Sequence, residues 1–167
     1  MGYILDLDTV VYISQDLRRR KKKIIYTHGS FDLFHSGHSY LFNKAKKLGD
    51  VLIVGVDSDE KVRKFKGERR PVNQHSLRAE MVNNHKDVDI VFSIEGLAEN
   101  EEDYYVGLYK KLSPHIVVVG NSFGFRNNFR KKLANTEFVL IDLLPEHQIS
   151  TTDIIQKVLD THVEKSE

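Results

Sequence analysis

Residues 29–41 read G-S-F-D-L-F-H-S-G-H-S-Y-L, with His35 and His38 three apart around Gly37. Gly29 lets the chain turn sharply and lets backbone approach a ligand closely, and Gly37 does the same between the histidines. A helix beginning near Ser36 or Gly37 aims its free N–H groups and positive dipole end at the place the two imidazoles face, which is the make-up of a phosphate site. Each imidazole adds a donor. A helix N-terminus lowers a histidine pKa, so neutral donors are expected. As a bare four-residue pattern, H-x-G-H also arises by chance at loop–helix junctions. Its weight comes from the elements around it.

Those elements alternate. Ile24–His28 is a β-rich apolar run that ends at Gly29, and Val51–Val56 is another that ends in D-S-D. Ile90–Ser93, Ile116–Val119 (ending at Gly120) and Phe138–Ile141 complete five short, continuously apolar runs, the pattern of strands buried on both faces. Amphipathic stretches lie between them: Tyr40, Leu41, Ala45 and Leu48 before Gly49; Leu77, Met81 and Val82; Tyr104, Leu108 and Leu112 before Pro114; and Ile154, Ile155, Val158, Leu159 and His162. The order implies an α/β, Rossmann-like, doubly wound five-stranded parallel sheet with helices on both faces. Ligands of such sheets bind beyond the carboxyl ends of the strands at a topological switch point, and the histidine stretch follows the first strand. Residues 24–167 read as one domain. Residues 1–23 read as an extension made of a helix (Val10, Val11, Ile13, Leu17) and the basic linker R-R-R-K-K-K at 18–23, with packing on the domain or a dimer contact as its alternative uses.

The chain of 167 residues is 40% hydrophobic and 29% charged, as in an ordinary globular protein. No apolar run reaches the roughly 18 residues of a membrane span. The early acids of M-G-Y-I-L-D-L-D do not suit a signal peptide, so a cytoplasmic location is expected. Without cysteine there are no disulfides, thiolate metal sites or cysteine nucleophiles. A net charge of +1 gives no global argument for nucleic acid, and none is expected as a partner.

Four motifs in order resemble one family. G-S-F-D-L-F-H-S-G-H is similar to the G-[ST]-F-D-x-x-H-x-G-H signature of the cytidylyltransferase-like nucleotidyltransferases. The second strand ends in V-D-S-D-E-K-V, like that family's strand–turn–helix. K-G-E-R-R-P-V-N at 66–73, with Arg78 twelve residues after Lys66, is like the heptose-1-phosphate adenylyltransferase branch. I-S-T-T-D-I-I at 149–155 resembles the closing element. D-L-F-H-S-G-H is also close to the cytidylyltransferases, including the glycerol-3-phosphate branch.

The resemblance implies attack of an acceptor phosphate on the α-phosphorus of CTP or ATP, with pyrophosphate released. A phosphate monoester has a second pKa of about 6 and is mostly dianionic at neutral pH, so no general base is needed. The task is to hold two polyanions in line and spread charge. His35, His38 and Lys66 are the implied catalytic residues, Lys66 lying on the loop after the second strand, with Lys64, Arg69 and Arg70 as alternatives to it. Gly29, Ser30, Phe31, Asp32, Gly37, Arg78, Gly120, Ser150, Thr151 and Thr152 are the implied nucleotide-binding residues. Arg78 has a structural ion pair as its alternative, Asp32 a local turn, and one of Ser150–Thr152 an N-cap. His28, Asp57 and Arg126, with Arg130 beside it, are candidates for the acceptor. Mg²⁺ is expected with the triphosphate, with no dedicated protein cage, because no acid–histidine cluster has ligand spacing. His75, His85, His115, His147 and His162 read as surface or packing residues.

The match departs in two places. G-N-S-F-G-F-R at 120–126 lacks the acidic turn of better-known branches and looks like the G-x-x-F-x-F-G turns of adenylyltransferases. L-P-E-H-Q at 144–148 lacks the arginine that polyol-phosphate cytidylyltransferases place there. CTP and ATP both stay open, as does the acceptor, with sugar 1-phosphate ranked above glycerol 3-phosphate. The expected assembly is a homodimer. The competing readings are a nucleotide-binding regulatory domain without turnover; a dinucleotide binder, for which no G-x-G-x-x-G follows a strand; and a class I tRNA synthetase fragment, for which no K-M-S-K-S is present.

Overall fold

The computed structural model describes residues 2–97, 99–120, 132–142 and 149–163. Its strands are β1 (Tyr3–Leu5), β2 (Ile24–Gly29), β3 (Val51–Asp57), β4 (Ile90–Ile94), β5 (Ile116–Gly120) and β6 (Glu137–Ile141). Its helices are α1 (Leu7–Arg19), α2 (Ser36–Lys46), α3 (Asp59–Lys66), α4 (His75–Asn83), α5 (Glu101–Leu112) and α6 (Thr151–Val163). All strand pairs are parallel, in the order β1-β4-β3-β2-β5-β6. The sheet thus has six strands rather than the expected five. The addition is β1, which pairs Tyr3 with Ile90 and Leu5 with Phe92. Three residues next to a helix are too few to raise a period-2 signal.

Alternation along the strands sorts the core into two layers. Ile24, Tyr26, Ile53 and Phe92 pack with Val10 of α1 and Tyr105 and Tyr109 of α5. Ile25, Leu52, Val54 and Val91 pack with Phe42 and Ala45 of α2 and Ala79 and Val82 of α4. The chain winds outward from β2 through β3 to β4, crosses back by α5, and resumes at β5 on the other side of β2. The switch point therefore lies between β2 and β5, where Gly29 and Gly120 end their strands.

Two helices turn differently from their sequence patterns. In α4, Leu77 and Met81 face outward and the buried side carries Arg78, Ala79, Val82 and Asn83. The guanidinium of Arg78 finds four acceptors inside, at least one for each of its nitrogens, which draws that face inward. Lys66 is the last residue of α3 rather than part of a loop. Ser58 caps that helix by accepting from the Lys61 N–H, Asp59 and Glu60 occupy the first turn, and Arg63, Lys64 and Lys66 the last, matching the helix dipole. Gly67, at φ 93°, stops it in a conformation that L side chains rarely adopt.

Candidate active site

The stretch from Gly29 to His38 leaves β2 and enters α2 through two residues with left-handed backbone, Phe31 at φ 48° and Leu33 at φ 44°. Such a conformation costs a non-glycine residue about 1 kcal/mol or more, so something must hold it. Asp32, between them, does so. Its fully buried carboxylate accepts from the N–H groups of Leu33 (3.1 Å), Val72 (2.9 Å) and Asn73 (3.0 Å) and from Arg70 Nε (2.9 Å). The Asp32 carbonyl accepts from the buried Thr151 hydroxyl at 2.5 Å. Burial pushes the Asp32 pKa up, but the Asn73 and Val72 N–H groups and Arg70 outweigh it and hold the carboxyl below its ordinary value. Asp32 thereby joins the G-S-F-D, K-G-E-R-R-P-V-N and I-S-T-T segments at one point. Its lone pairs are used within the protein, so it has none to give a metal ion. Among the described residues, no three histidine or acidic side chains group to hold one.

His35 is the N-cap of α2, and its Nδ1 accepts from the Gly37 N–H at 3.2 Å. That fixes the neutral ring as the Nε2–H tautomer, with a donor left over. The His38 ring stacks on it, 3.8 Å between centroids. Burial, then Lys66, lowers the His35 pKa. Burial, then His35 and Lys66, lowers that of His38 to about 3. The direction is the expected one, but burial is its main cause rather than the helix terminus alone. Both rings are neutral at physiological pH.

Lys66 Nζ donates to the Ser30 hydroxyl at 2.8 Å, which brings α3 to the histidine loop. Burial and Arg70 lower its pKa. Arg70, an alternative to Lys66, is committed to Asp32. For Arg78, placed among the nucleotide-binding residues with an ion pair as alternative, the geometry is that of the ion pair. The side chain is fully buried, and it donates to the carbonyls of Asn73 (2.9 Å), Ser30 and Asp57 (2.7 Å) and to the Asp59 carboxylate (2.7 Å). It clamps the ends of β2 and β3 to the loop before α4.

The three hydroxyls of S-T-T divide their work. Ser150 caps α6: its Oγ accepts from the Asp153 N–H, and its own N–H and hydroxyl donate to the Asp153 carboxylate. Thr151 is the buried tie to Asp32, and Thr152 is exposed. Phe31 packs edge-on against His38, and Gly37 is buried in the first turn of α2. Gly120 ends β5 half-exposed, and an added Cβ would meet nothing within 4 Å. Arg126, Arg130 and the L-P-E-H-Q segment lie outside the described residues.

A second cluster sits at the same end of the sheet, on the α5 side. His28 Nε2 is 3.1 Å from the Tyr109 hydroxyl, and its ring stacks on Tyr105 with 4.4 Å between centroids. Burial and then the Lys61 charge lower its pKa to about 3. Asp57 ends β3 with the Tyr105 hydroxyl donating to it at 3.4 Å, and burial pushes its pKa up. Lys61, Glu101, Tyr105 and Tyr109 had no distinguishing signal in the sequence. Lys61 is one basic residue among several in D-E-K-V-R-K-F-K, and the stripe legible in the sequence is Tyr104, Leu108 and Leu112, whereas the structure buries Tyr105 and Tyr109. His85 shares a 2.8 Å hydrogen bond with Ser39 and packs on Phe34 and Phe42, and His115 Nδ1 accepts from the Ile24 N–H; both are packing residues.

The family described as cytidylyltransferase-like matches residues 26–157. The chain is 38% identical over 156 residues to the bifunctional protein HldE of a Nitratiruptor species, covering 93% of this chain and 32% of that protein. It is 40% identical over 144 residues to the bifunctional protein HldE of Campylobacter jejuni subsp. doylei, covering 86% and 29%. The chain spans about a third of the length of the curated relatives it matches. Among solved structures, a lipopolysaccharide core biosynthesis protein from Thermoplasma volcanium matches 72% of this chain and 96% of its own at TM-score 0.61 and 23% identity. The pantoate–beta-alanine ligase from Francisella tularensis matches 93% and 76% at TM-score 0.58 and 18% identity. At those identities the two structures speak for the fold alone.

Proposed function

The chain belongs to the cytidylyltransferase-like family, and from that premise we propose that it transfers AMP or CMP from a nucleoside triphosphate to a phosphorylated sugar or polyol and releases pyrophosphate. The observation that carries this reading is the convergence, past the end of β2, of neutral stacked imidazoles at a helix N-terminus with a lysine. An acceptor phosphate oxygen forms the new bond to the α-phosphorus, and the bond from that phosphorus to the bridging oxygen of pyrophosphate breaks. No proton has to move. The Nε2–H of His35 and the His38 ring donate to phosphate oxygens, and the Lys66 ammonium neutralises the α-phosphate or the leaving group. Asp32 and Arg78 position these groups without touching the nucleotide. Mg²⁺ arrives as part of the triphosphate substrate.

His28 and Asp57 are the acceptor-facing residues of this reading, on the α5 side of the strand ends. ATP is favoured over CTP, and a sugar 1-phosphate over glycerol 3-phosphate, by the K-G-x-x-R-P-V-N run and by the HldE relatives.

The test is pyrophosphate release with CTP, ATP, GTP and UTP plus Mg²⁺ across sugar 1-phosphates and glycerol 3-phosphate, with thermal shift for each nucleotide. Stabilisation follows affinity by mass action, so the stabilising base names the nucleotide. The absence of pyrophosphate with every pair would leave a nucleotide-binding domain without turnover.

A further inference from the structure

Lys61 is a lysine with only 2% of its side chain exposed, at the end of the sheet where substrates are expected. Its ammonium is 2.5 Å from Glu101 Oε2 at the first residue of α5. It also lies 4.6 Å from the ring centre of Tyr104 and 4.9 Å from that of Tyr105. Both distances fit cation–π contact. The other oxygen of Glu101 is buried, and Lys64 approaches it only at 3.9 Å. The segment before α5 is mostly exposed, Leu97 included; Asn100 caps the helix and Lys132 pairs with Glu102 and Asp103, while Lys61 supplies the short tie from its first residue to α3.

Stability does not explain such a pair. Removing two charges from water costs several kcal/mol per ion, and a well-packed apolar pair serves a core as well or better. A charge, though, acts on its neighbours. Asp57 is faced by Lys61 and Lys66 from α3, Arg78 from α4 and Tyr105 from α5, while His28 stands on β2 in register with Gly55, two residues before Asp57. Below them the Tyr26 hydroxyl is fully buried with no hydrogen-bond partner among the described residues, a polar atom whose desolvation a bound hydroxyl or water would offset.

We infer that Lys61 is the positioning residue of the acceptor pocket: it ties the first turn of α5 to α3 and so fixes the Tyr105 hydroxyl against the Asp57 carboxylate as the pair that receives the acceptor's own hydroxyl groups. The inference rests on the reading of His28 and Asp57 as acceptor-facing. Its charge has a second effect, favouring the ionised carboxyl of Asp57 against burial and the neutral ring of His28. An ionised carboxylate accepts two or more hydroxyl donors at once, which suits a polyhydroxylated acceptor.

The test compares the wild type with Lys61→Met, Lys61→Arg and Glu101→Gln, using glycerol 3-phosphate and sugar 1-phosphates as probes. Lys61→Met raises the acceptor KM about tenfold or more and leaves the nucleotide KM within about twofold. The acid limb of kcat/KM for the acceptor moves to higher pH, because Asp57 loses the cation that favours its ionised form. Lys61→Arg restores most of the acceptor KM. Glu101→Gln, which keeps the lysine, gives a smaller rise and covers the case in which the methionine variant fails to fold. Equal changes in both KM values, or an unmoved acid limb, overturn the inference. Amide exchange at residues 104–107 decides the anchor without turnover: faster exchange in the Lys61 and Glu101 variants supports it, and wild-type exchange rejects it. Absence of pyrophosphate release by the wild type counts against the enzyme reading and leaves the exchange result standing.

Discussion

The two sides of the strand ends are built by opposite means. The side proposed for the phosphates is mostly a contiguous run, residues 29–38, in which helix start, imidazoles and tight turn come from neighbours in sequence, and Lys66 of α3 joins it at Ser30. The α5 side is made of single residues from β2, β3, α3 and α5, among them Lys61 and Glu101, forty positions apart. The first handles charge with neutral rings and a cation exposed enough to meet a ligand. The second holds two carboxylates, Asp57 and Glu101, with an ammonium and Tyr26, Tyr105 and Tyr109 largely under burial. Under the proposed function the first side meets the triphosphate and most of it can be written as a motif, while the second meets the acceptor and has to be assembled from separate elements.

The largest expected effect falls on the phosphate side. His38→Ala lowers kcat by about 10³-fold, the scale for losing one preorganised donor, with the fold preserved. Near-normal turnover in a folded variant would reject the donor role and leave the two sides without their functional contrast. Asp32→Asn comes next. It breaks the buried pair with Arg70 and turns an amide against backbone donors, so stability falls by about 3–5 kcal/mol and the nucleotide KM rises. A stability loss under about 1 kcal/mol in chemical denaturation would mean that the three motifs are not joined through Asp32.

A third prediction uses what the two sides share. His28 and His38 both have folded pKa values of about 3, below the ordinary 6.5. Their unfolded forms take up protons near pH 6.5 and their folded forms do not, so the stability they confer is present above 6.5 and is lost as pH falls toward 3. Each contributes a slope of about 1.4 kcal/mol per pH unit in that window. Urea midpoints at pH 7 and 5.5 measure it above the range where carboxylates titrate. His38→Asn and His28→Asn should each flatten the slope by one proton, and an unchanged slope would show that the ring is not held neutral by the fold. The smallest effect is Gly67→Ala, strained at φ 93° with nothing near its Cβ: about 1 kcal/mol of stability, with kcat altered little because Lys66 keeps its helix. A large fall in kcat would place the end of α3, rather than Lys66 alone, in the phosphate site.

Continuous apolar runs bounded by glycines and acids made the parallel sheet legible, because the four central strands are buried on both faces and each signal is local. The H-x-G-H stretch was legible for the same reason: its cap, turn and donors lie within ten residues. Tertiary structure decided what depended on distant partners. Arg78 could have reached a phosphate until Ser30, 48 positions away, and Asp57 and Asp59 took its donors. Thr151 looked like one hydroxyl of three until the Asp32 carbonyl, 119 positions away, received it. Leu77 and Met81 had the spacing of a buried stripe and face outward, since a guanidinium with four acceptors inside turned α4 the other way. β1 has only three residues, and its place at the sheet edge depends on pairing with β4. The sequence by itself determined which chemistry is present and at which end of the sheet. The tertiary structure decided which polar groups are consumed holding that end together and which are left to meet a ligand, because a hydrogen-bond donor is committed only when the fold brings an acceptor to it.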